Sequence, residues 1–332
     1  MMMKAQVITG FGGPEVFREM LIPRPQVLPG HVLIRVAATS VNPADCKIRS
    51  GISPASPSSF PAVLHGDVAG IVEEVGEGVT KFRRGDEVFG CAGGVRGTGG
   101  ALADYMLADA RLIARKPPNL TMAEAAALPL VSITAWEGLF ERARIEPGQT
   151  VLVHGGTGGV GHIAVQLAKH AGAKVYTTVS SKEKMEIAMK LGADAAILYT
   201  KTAVDEYVSK YTDGNGFDVV FDTVGGNNLA LSFAAAALNG TVISISTRSV
   251  QDLTPVHNKG LSLHGVFMLI PLLHNVRREK HGDILSRLSE LAAEGKIKPL
   301  LDPASYDFSR VGEAHRHLES GRAIGKVTLI HE

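Results

Sequence analysis

Thr150-Val-Leu-Val-His-Gly-Gly-Thr-Gly-Gly-Val-Gly161 decides how this chain is read. Its first five residues have the apolar, β-branched character of a buried strand. The next seven are glycine-rich, and an apolar helical pattern follows to about residue 171. Within it Gly156, Gly158 and Gly161 satisfy G-x-G-x-x-G in the strand, loop and helix context that the motif requires. Glycines at this spacing permit a tight turn, a side-chain-free approach for a diphosphate and close packing of helix on strand. The helix then offers its free N-terminal amides to the anion. Gly156, Gly158, Gly159, Val160 and Gly161 are therefore the candidates for contacting a dinucleotide. The alternative reading is a structural glycine turn.

Working downstream, strands are expected at 174–179, 195–199, 217–223, 241–246 and 261–268, with helices at 182–191, 203–211 and 227–238 between them. Repeated strand and helix units of this kind specify an α/β fold with a doubly wound parallel sheet. A long helix is expected at 275–294, followed by a tail ending in a strand at 327–330. Upstream, residues 4–119 read as short strands broken by Gly and Pro, which is a β-rich domain. Two loops there, 49–61 with its Ser and Pro and 92–100 with its Gly, are expected to be mobile and to border a site. Thr121-Met-Ala-Glu124 is a capping box that opens an Ala-rich helix, so the domain junction is expected there. The expected division is 1–121, 122–268 and a return to the first domain over 269–332.

The tip of the second strand selects the nucleotide. An NAD-binding chain places Asp or Glu there, to accept hydrogen bonds from the ribose 2′-hydroxyl. Here the residues are Val179-Ser180-Ser181-Lys182-Glu183-Lys184. A carboxylate would repel a 2′-phosphate, whereas Ser hydroxyls and Lys ammonium groups would stabilise it, so NADPH is favoured. The competing reading is that Ser180 caps the next helix with Glu183, and that Lys182 and Lys184 form a solvated face.

Bulk properties narrow the remaining choices. At 332 residues, 45% apolar and 20% charged, the chain exceeds one ordinary core and suits a globular α/β protein of two domains, at roughly 100–200 residues each. A net charge of +1 with mixed signs leaves no electrostatic footprint for nucleic acid or an anionic membrane. Small molecules are the expected partners. Cys46 and Cys91 are the two cysteines, which excludes a disulfide framework and a four-thiolate zinc lobe and points to a reducing, cytoplasmic setting. Neither a signal peptide nor a membrane span is expected, since the longest apolar stretch, 125–136, falls short of the ~20 residues needed.

Six ordered segments together resemble the medium-chain dehydrogenase/reductase superfamily, and within it the zinc-free quinone oxidoreductase group. They are Val41-Asn-Pro-Ala-Asp-Cys-Lys-Ile-Arg-Ser-Gly51, His65-Gly-Asp-Val-Ala-Gly-Ile-Val72, Gly85-Asp-Glu-Val-Phe-Gly90, the glycine loop, Phe217-Asp-Val-Val-Phe-Asp-Thr-Val-Gly-Gly226 and Gly325-Lys-Val327. The resemblance implies a GroES-like β-rich catalytic domain split around a Rossmann domain. It also implies a homodimer paired through the strand near 261–268. It places Asn42 and Lys47 in the active-site cleft and Thr134 beside the nicotinamide. Lys184 and Tyr199 fall against the 2′-phosphate, Ser246 and Phe267 (in the sixth strand) line the nicotinamide pocket, and Lys326 lies nearby. Lys47 departs from the Tyr of classical quinone reductases and is closer to the alkenal-reductase branch.

Zinc-dependent relatives need three protein ligands and one open position. The corresponding residues here are Asn42 and Gly66, neither of which can serve, so no metal is expected. A Cys46, His65, Asp67 set is the competing arrangement, against Cys46 as a small buried residue and His65 as a loop residue. His31, His257, His315 and His317 are read as ordinary surface or loop residues. Without a Lewis acid, an activated acceptor suits the site better than an alcohol. The expected chemistry is hydride transfer to a quinone or α,β-unsaturated carbonyl, with Lys47 and Asn42 as donors to the developing oxyanion. The alternative local readings are a solvent-facing Lys47 and an Asn42 that holds the turn before Pro43. Rival readings of the whole are a zinc-type alcohol dehydrogenase and a non-catalytic, NADPH-binding structural protein.

Overall fold

The computed structural model describes residues 1–331. They divide into two compact units: Met1–Leu130 with Leu269–Gly295 and the segment from Pro299 onward, and Val131–Met268 with Lys296–Lys298. In chain order the first segment folds as β1 (Met2–Ile8), β2 (Phe17–Pro23), β3 (His31–Ser40), α1 (Pro43–Arg49), β4 (Ala62–Val63), β5 (Asp67–Val75), β6 (Glu87–Cys91), β7 (Tyr105–Asp109), β8 (Ile113–Arg115) and α2 (Met122–Ala126). Thr121 opens α2 as expected, its hydroxyl accepting from Glu124 N at 3.3 Å while Glu124 reaches back to Thr121 N at 2.8 Å. The helix packs on β3 and β5, however, so the division between units comes after Leu130 and not at residue 121.

The division falls inside α3 (Pro129–Trp136), which runs into a π-helical stretch over Glu137–Ala143 in the second unit. That unit continues as β9 (Thr150–His154), α4 (Gly159–His170), β10 (Lys174–Val179), α5 (Lys182–Lys190), β11 (Ala195–Leu198), α6 (Val204–Thr212), β12 (Phe217–Asp222), α7 (Asn228–Ala235), β13 (Ala236–Ser244), α8 (Thr254–Lys259) and β14 (Ser262–Gly265). The six strands form one parallel sheet in the order β11-β10-β9-β12-β13-β14. The order reverses between β9 and β12, which is where a doubly wound sheet opens a crevice beyond its carboxyl ends. β9 and β12 are almost wholly buried, and Leu152, Phe217, Val220, Phe233 and Val242 form one core under them.

The chain returns as α9 (Ile270–His274), α10 (Glu279–Ala293), β15 (Leu301–Asp307), α11 (Val311–Glu319) and β16 (Lys326–Ile330). β15 and β16 join the sheet β15-β16-β3-β5-β6-β8, to which β7 is added through β3. Because β16 and β5 flank β3 on opposite sides, residues 40–42, 67 and 326 are brought to one place. Between the two return segments, Lys296–Lys298 belongs to the second unit, where the Gln166 amide exchanges two 2.9 Å hydrogen bonds with the Lys298 backbone.

Three expected element bounds change. The helix expected at 275–294 begins only at Glu279, as α10, because Asn275 and Arg277 take left-handed backbone angles, φ 53° and 50°, and the residues before them form a separate short helix, α9. The helix expected at 227–238 stops at Ala235, since Ala236 already pairs with Phe217 in the sheet. The sixth strand stops at Gly265, leaving Phe267 beyond it and 43% exposed. The 49–61 and 92–100 loops are joined to one another: Arg96 donates from its backbone to Ala55 O at 2.9 Å and from Nε to Pro54 O at 2.8 Å. No helix is long and apolar enough to cross a membrane, among the described residues.

Candidate functional site

On the second unit the glycine loop follows β9 and turns into α4. A Cβ at Gly156 would lie 2.0 Å from Thr177 Oγ1, and one at Gly161 would lie 2.1 Å from Gly155 O. No side chain larger than glycine fits at either position, so the loop packs backbone-close against β10 and the first turn of α4. Gly158 is the N-cap residue and no side chain caps that end. The first amides of the helix and the positive end of its dipole are thus presented as an anion cradle. This is the fit that a dinucleotide diphosphate requires, and Gly158, Gly159, Val160 and Gly161 supply its floor.

Across the sheet from the glycine loop, the turn after β12 is held by Asp222, a buried residue to which sequence reasoning gave no role. It ends β12 beside His154 at the end of β9. Its Oδ1 accepts from Val224 N at 2.9 Å, Gly225 N at 2.9 Å and Asn228 Nδ2 at 3.0 Å, which shapes the 223–226 turn. Gly225, at φ 75°, packs so tightly on Ser246 that a Cβ would lie 2.2 Å from Ser246 O. Ser246 is thereby fixed at the carboxyl end of β13. Burial pulls the His154 imidazole down to about 4, against the pull of Asp222, so the ring is neutral near pH 7. Thr134, in α3, is 4% exposed.

At the second strand tip the N-cap of α5 is Ser181, whose hydroxyl accepts from Lys184 N at 3.2 Å. Ser180 is not the cap, and its side chain is exposed. Val179 pairs with Leu198 across β10 and β11, so Ser180 and Tyr199 emerge together from one sheet edge. Tyr199 is 56% exposed and Lys184 half-buried. These three residues form a hydroxyl and ammonium group set without a carboxylate at the strand tip, which fits a 2′-phosphate.

The first unit carries a buried polar centre. The Asp67 carboxylate accepts from Ser40 Oγ and Asn42 Nδ2 through Oδ2, and from Leu130 N through Oδ1, each at 2.8 Å. Lys326 Nζ lies 3.6 Å from Oδ2 and donates to Val41 O at 3.2 Å and to Asn42 Oδ1. Asn42 also donates from its backbone to Asp45, whose buried carboxyl is pushed up to about 7, first by burial and then by the Asp67 charge. Burial lowers the Lys326 ammonium from its ordinary value, while Asp67 and Asp45 oppose the shift.

These contacts revise the expected roles. Asn42 is 1% exposed, its amide nitrogen donating to Asp67 and its amide oxygen accepting from Lys326, so it holds the chain before Pro43 within this buried network. Lys47 is exposed on the opposite side of α1 from this network's buried residues. Gly66 stands where a metal ligand would be needed, and a Cβ there would lie 2.9 Å from Cys91 Sγ. The competing Cys46, His65, Asp67 set does not converge: Asp67 faces Asn42, while Cys46 and His65 both turn to His315. His315 is not a surface residue, being fully buried, and nothing in its local sequence signals this. Burial pushes the Cys46 thiol up to about 12, so it is no nucleophile near neutrality.

Comparison with known proteins identifies the family. Residues 28–118 match the alcohol dehydrogenase GroES-like domain, and residues 159–279 the zinc-binding dehydrogenase family. A tomato (Solanum lycopersicum) 2-methylene-furan-3-one reductase is 37% identical over 98% of this chain and 79% of its own length. A chloroplastic NADPH-dependent alkenal/one oxidoreductase of Arabidopsis thaliana is 36% identical over the same shares. The human quinone oxidoreductase is 30% identical over 99% of this chain and 98% of its own. Among solved structures, an alcohol dehydrogenase superfamily protein from Novosphingobium aromaticivorans superposes with a TM-score of 0.95 at 40% identity, covering 99% of this chain and all of the other. With both domains matched and full-length relatives at these identities, the chain belongs to the medium-chain dehydrogenase/reductase superfamily, in its quinone and alkenal/one oxidoreductase group.

Proposed function

We propose that this chain is an NADPH-dependent reductase that transfers a hydride to the β-carbon of an α,β-unsaturated carbonyl or to a quinone ring. The observation that carries the reading is the glycine loop at Gly156 and Gly161 together with the carboxylate-free strand tip of Ser180, Lys184 and Tyr199. The chemistry that reduced nicotinamide supplies, when bound, is hydride donation. Amides at the start of α4 hold the diphosphate, and Lys184 with the hydroxyls of Ser180 and Tyr199 holds the 2′-phosphate. Ser246, Phe267 and Thr134 are assigned to the nicotinamide end, as is Lys326 through the segment it anchors.

Lys47, with its exposed ammonium, is the group assigned to the acceptor's oxygen as negative charge develops there. The balancing proton comes from water. Asn42 acts on the Val41–Pro43 backbone and not on the substrate. Two further assignments follow the same reading: a homodimer through β14, which is an edge strand of its sheet, and a cytoplasmic location, which suits two buried free cysteines.

The test is loss of NADPH absorbance with a panel of enones, alkenals and quinones. Turnover with an enone or quinone and none with simple alcohols and NADP⁺ supports the assignment. Tight NADPH binding without turnover on any acceptor favours a non-catalytic binding protein instead.

A further inference from the structure

His65 and His315 lie 250 residues apart in sequence, yet their Nε2 atoms are 2.9 Å apart and both rings are buried. The hydrogen bonds around them allow one arrangement of protons. Arg49 Nη1 can only donate, and it lies 2.9 Å from His315 Nδ1, so the His315 proton is on Nε2. The Cys46 thiol, 3.4 Å from the same Nδ1, is compatible with that assignment. His315 Nε2 then donates to His65 Nε2, leaving the His65 proton on Nδ1, which is 3.3 Å from Thr39 Oγ1. From the other end, Thr39 gives its own proton to Asp67 O at 2.6 Å and must therefore accept from His65. Both ends impose the same tautomers.

The chain is anchored outward by the Arg49–Glu319 pair, at 2.7 Å, and inward by the backbone of Asp67. A guanidinium at one end and a peptide carbonyl at the other exchange no proton, so this is an orienting device and not a proton wire. What it orients is a constrained segment. His65 has a left-handed backbone, φ 70°, and glycines crowd around it: a Cβ at Gly94 would lie 2.7 Å from His65 C, and one at Gly100 2.0 Å from Leu64 O. Asp67, two residues on, receives the side chains of Ser40, Asn42 and Lys326.

We propose that His65 and His315 are a positioning pair for the reductase: their fixed tautomers hold the 65–67 backbone, and through it the Asp67 carboxylate that orients Asn42 and Lys326. The proposal rests on the reductase reading above. Its test compares the full-length wild type with His315→Leu, which cuts the chain, and His315→Gln, which keeps a donor near Nε2. NADPH turnover is followed with 2-cyclohexenone and menadione, and NADPH affinity and thermal midpoint are measured on the same samples. His315→Leu should lose between about tenfold and a hundredfold in kcat per folded molecule, with the NADPH KM nearly unchanged and His315→Gln recovering most of the loss. A lowered midpoint with wild-type kcat per folded molecule would overturn the proposal, as would equal loss in both variants.

Nitrogen NMR of histidine-labelled protein reads the tautomers independently of turnover. Protons on His315 Nε2 and His65 Nδ1 are expected at pH 7, and any other arrangement overturns the pair. A wild type that never consumes NADPH defeats the reductase reading, whereas an active wild type matched by His315→Leu defeats this one.

Discussion

The Lys326 ammonium lies 3.6 Å from the Asp67 carboxylate, and both groups are buried, at 2% and 0% side-chain exposure. They stand at the starts of β16 and β5, on either side of the end of β3, and so tie the C-terminal strand to the segment that carries Asn42. A buried pair of this kind costs much of its attraction in desolvation, but removing one member leaves an uncompensated charge. Lys326→Met should therefore destabilise the protein by about 3–5 kcal/mol, towards the lower end because Ser40, Asn42 and Leu130 still donate to Asp67. Denaturant unfolding measures this. A change below about 1 kcal/mol would mean that the pair is not a structural charge pair.

Asp45 makes stability depend on pH. Its carboxyl is pushed up from 3.8 to about 7 by burial and by Asp67. The folded state therefore holds this proton more tightly than the unfolded state does. Stability from the group is complete below about pH 4 and is lost as pH rises towards 7, by up to about 1.4 kcal/mol per pH unit. Asp45→Asn keeps an acceptor for Asn42 N and has no charge to bury. Its stability relative to wild type should rise from pH 5 to pH 8, and a pH-independent difference would contradict the assignment.

Cofactor preference is expected to rest on Lys184. Lys184→Ala should weaken NADPH by about 1.5–3 kcal/mol, the range for a charged hydrogen bond, and leave NADH nearly unaffected. Equal weakening of both nucleotides, measured by fluorescence titration, would remove the phosphate role.

Turnover should not depend on zinc. Asn42 and Gly66 supply no metal ligand, and the Asp67 carboxylate is already engaged by hydrogen bonds from Ser40, Asn42 and Leu130 and by its ion pair with Lys326. Prolonged dialysis against a chelator is expected to leave activity intact. Stoichiometric zinc retained by active protein would instead support an alcohol dehydrogenase type of site.

The parts legible in the sequence are those carried by local chemistry. The glycine loop, the Thr121 capping box and the alternation of strands and helices after Gln149 each depend on residues within a dozen positions, and their patterns read directly. The late start of α10 was hidden, because Arg277 adopts a left-handed angle with no glycine to announce it, as Asn275 does in ending α9. At the strand tip the sequence offered Ser180 as the cap of the next helix, and the structure gives that place to its neighbour Ser181. The polar centre was half visible: Asn42 and Lys326 could be placed by resemblance, but their engagement with Asp67 comes from strands paired across the whole chain. The least legible feature was His315. Its burial depends on α11 meeting α1, so the helix's own charged sequence disguised the ring as a surface residue.

The most direct test of the account is calorimetric titration of the pure protein with NADPH, run beside Gly156→Val. The account predicts saturable one-to-one binding by the wild type and none by the variant, because a side chain at position 156 would collide with Thr177 Oγ1 and push the glycine loop out of place. No binding by the wild type, or equal binding by both proteins, would contradict it.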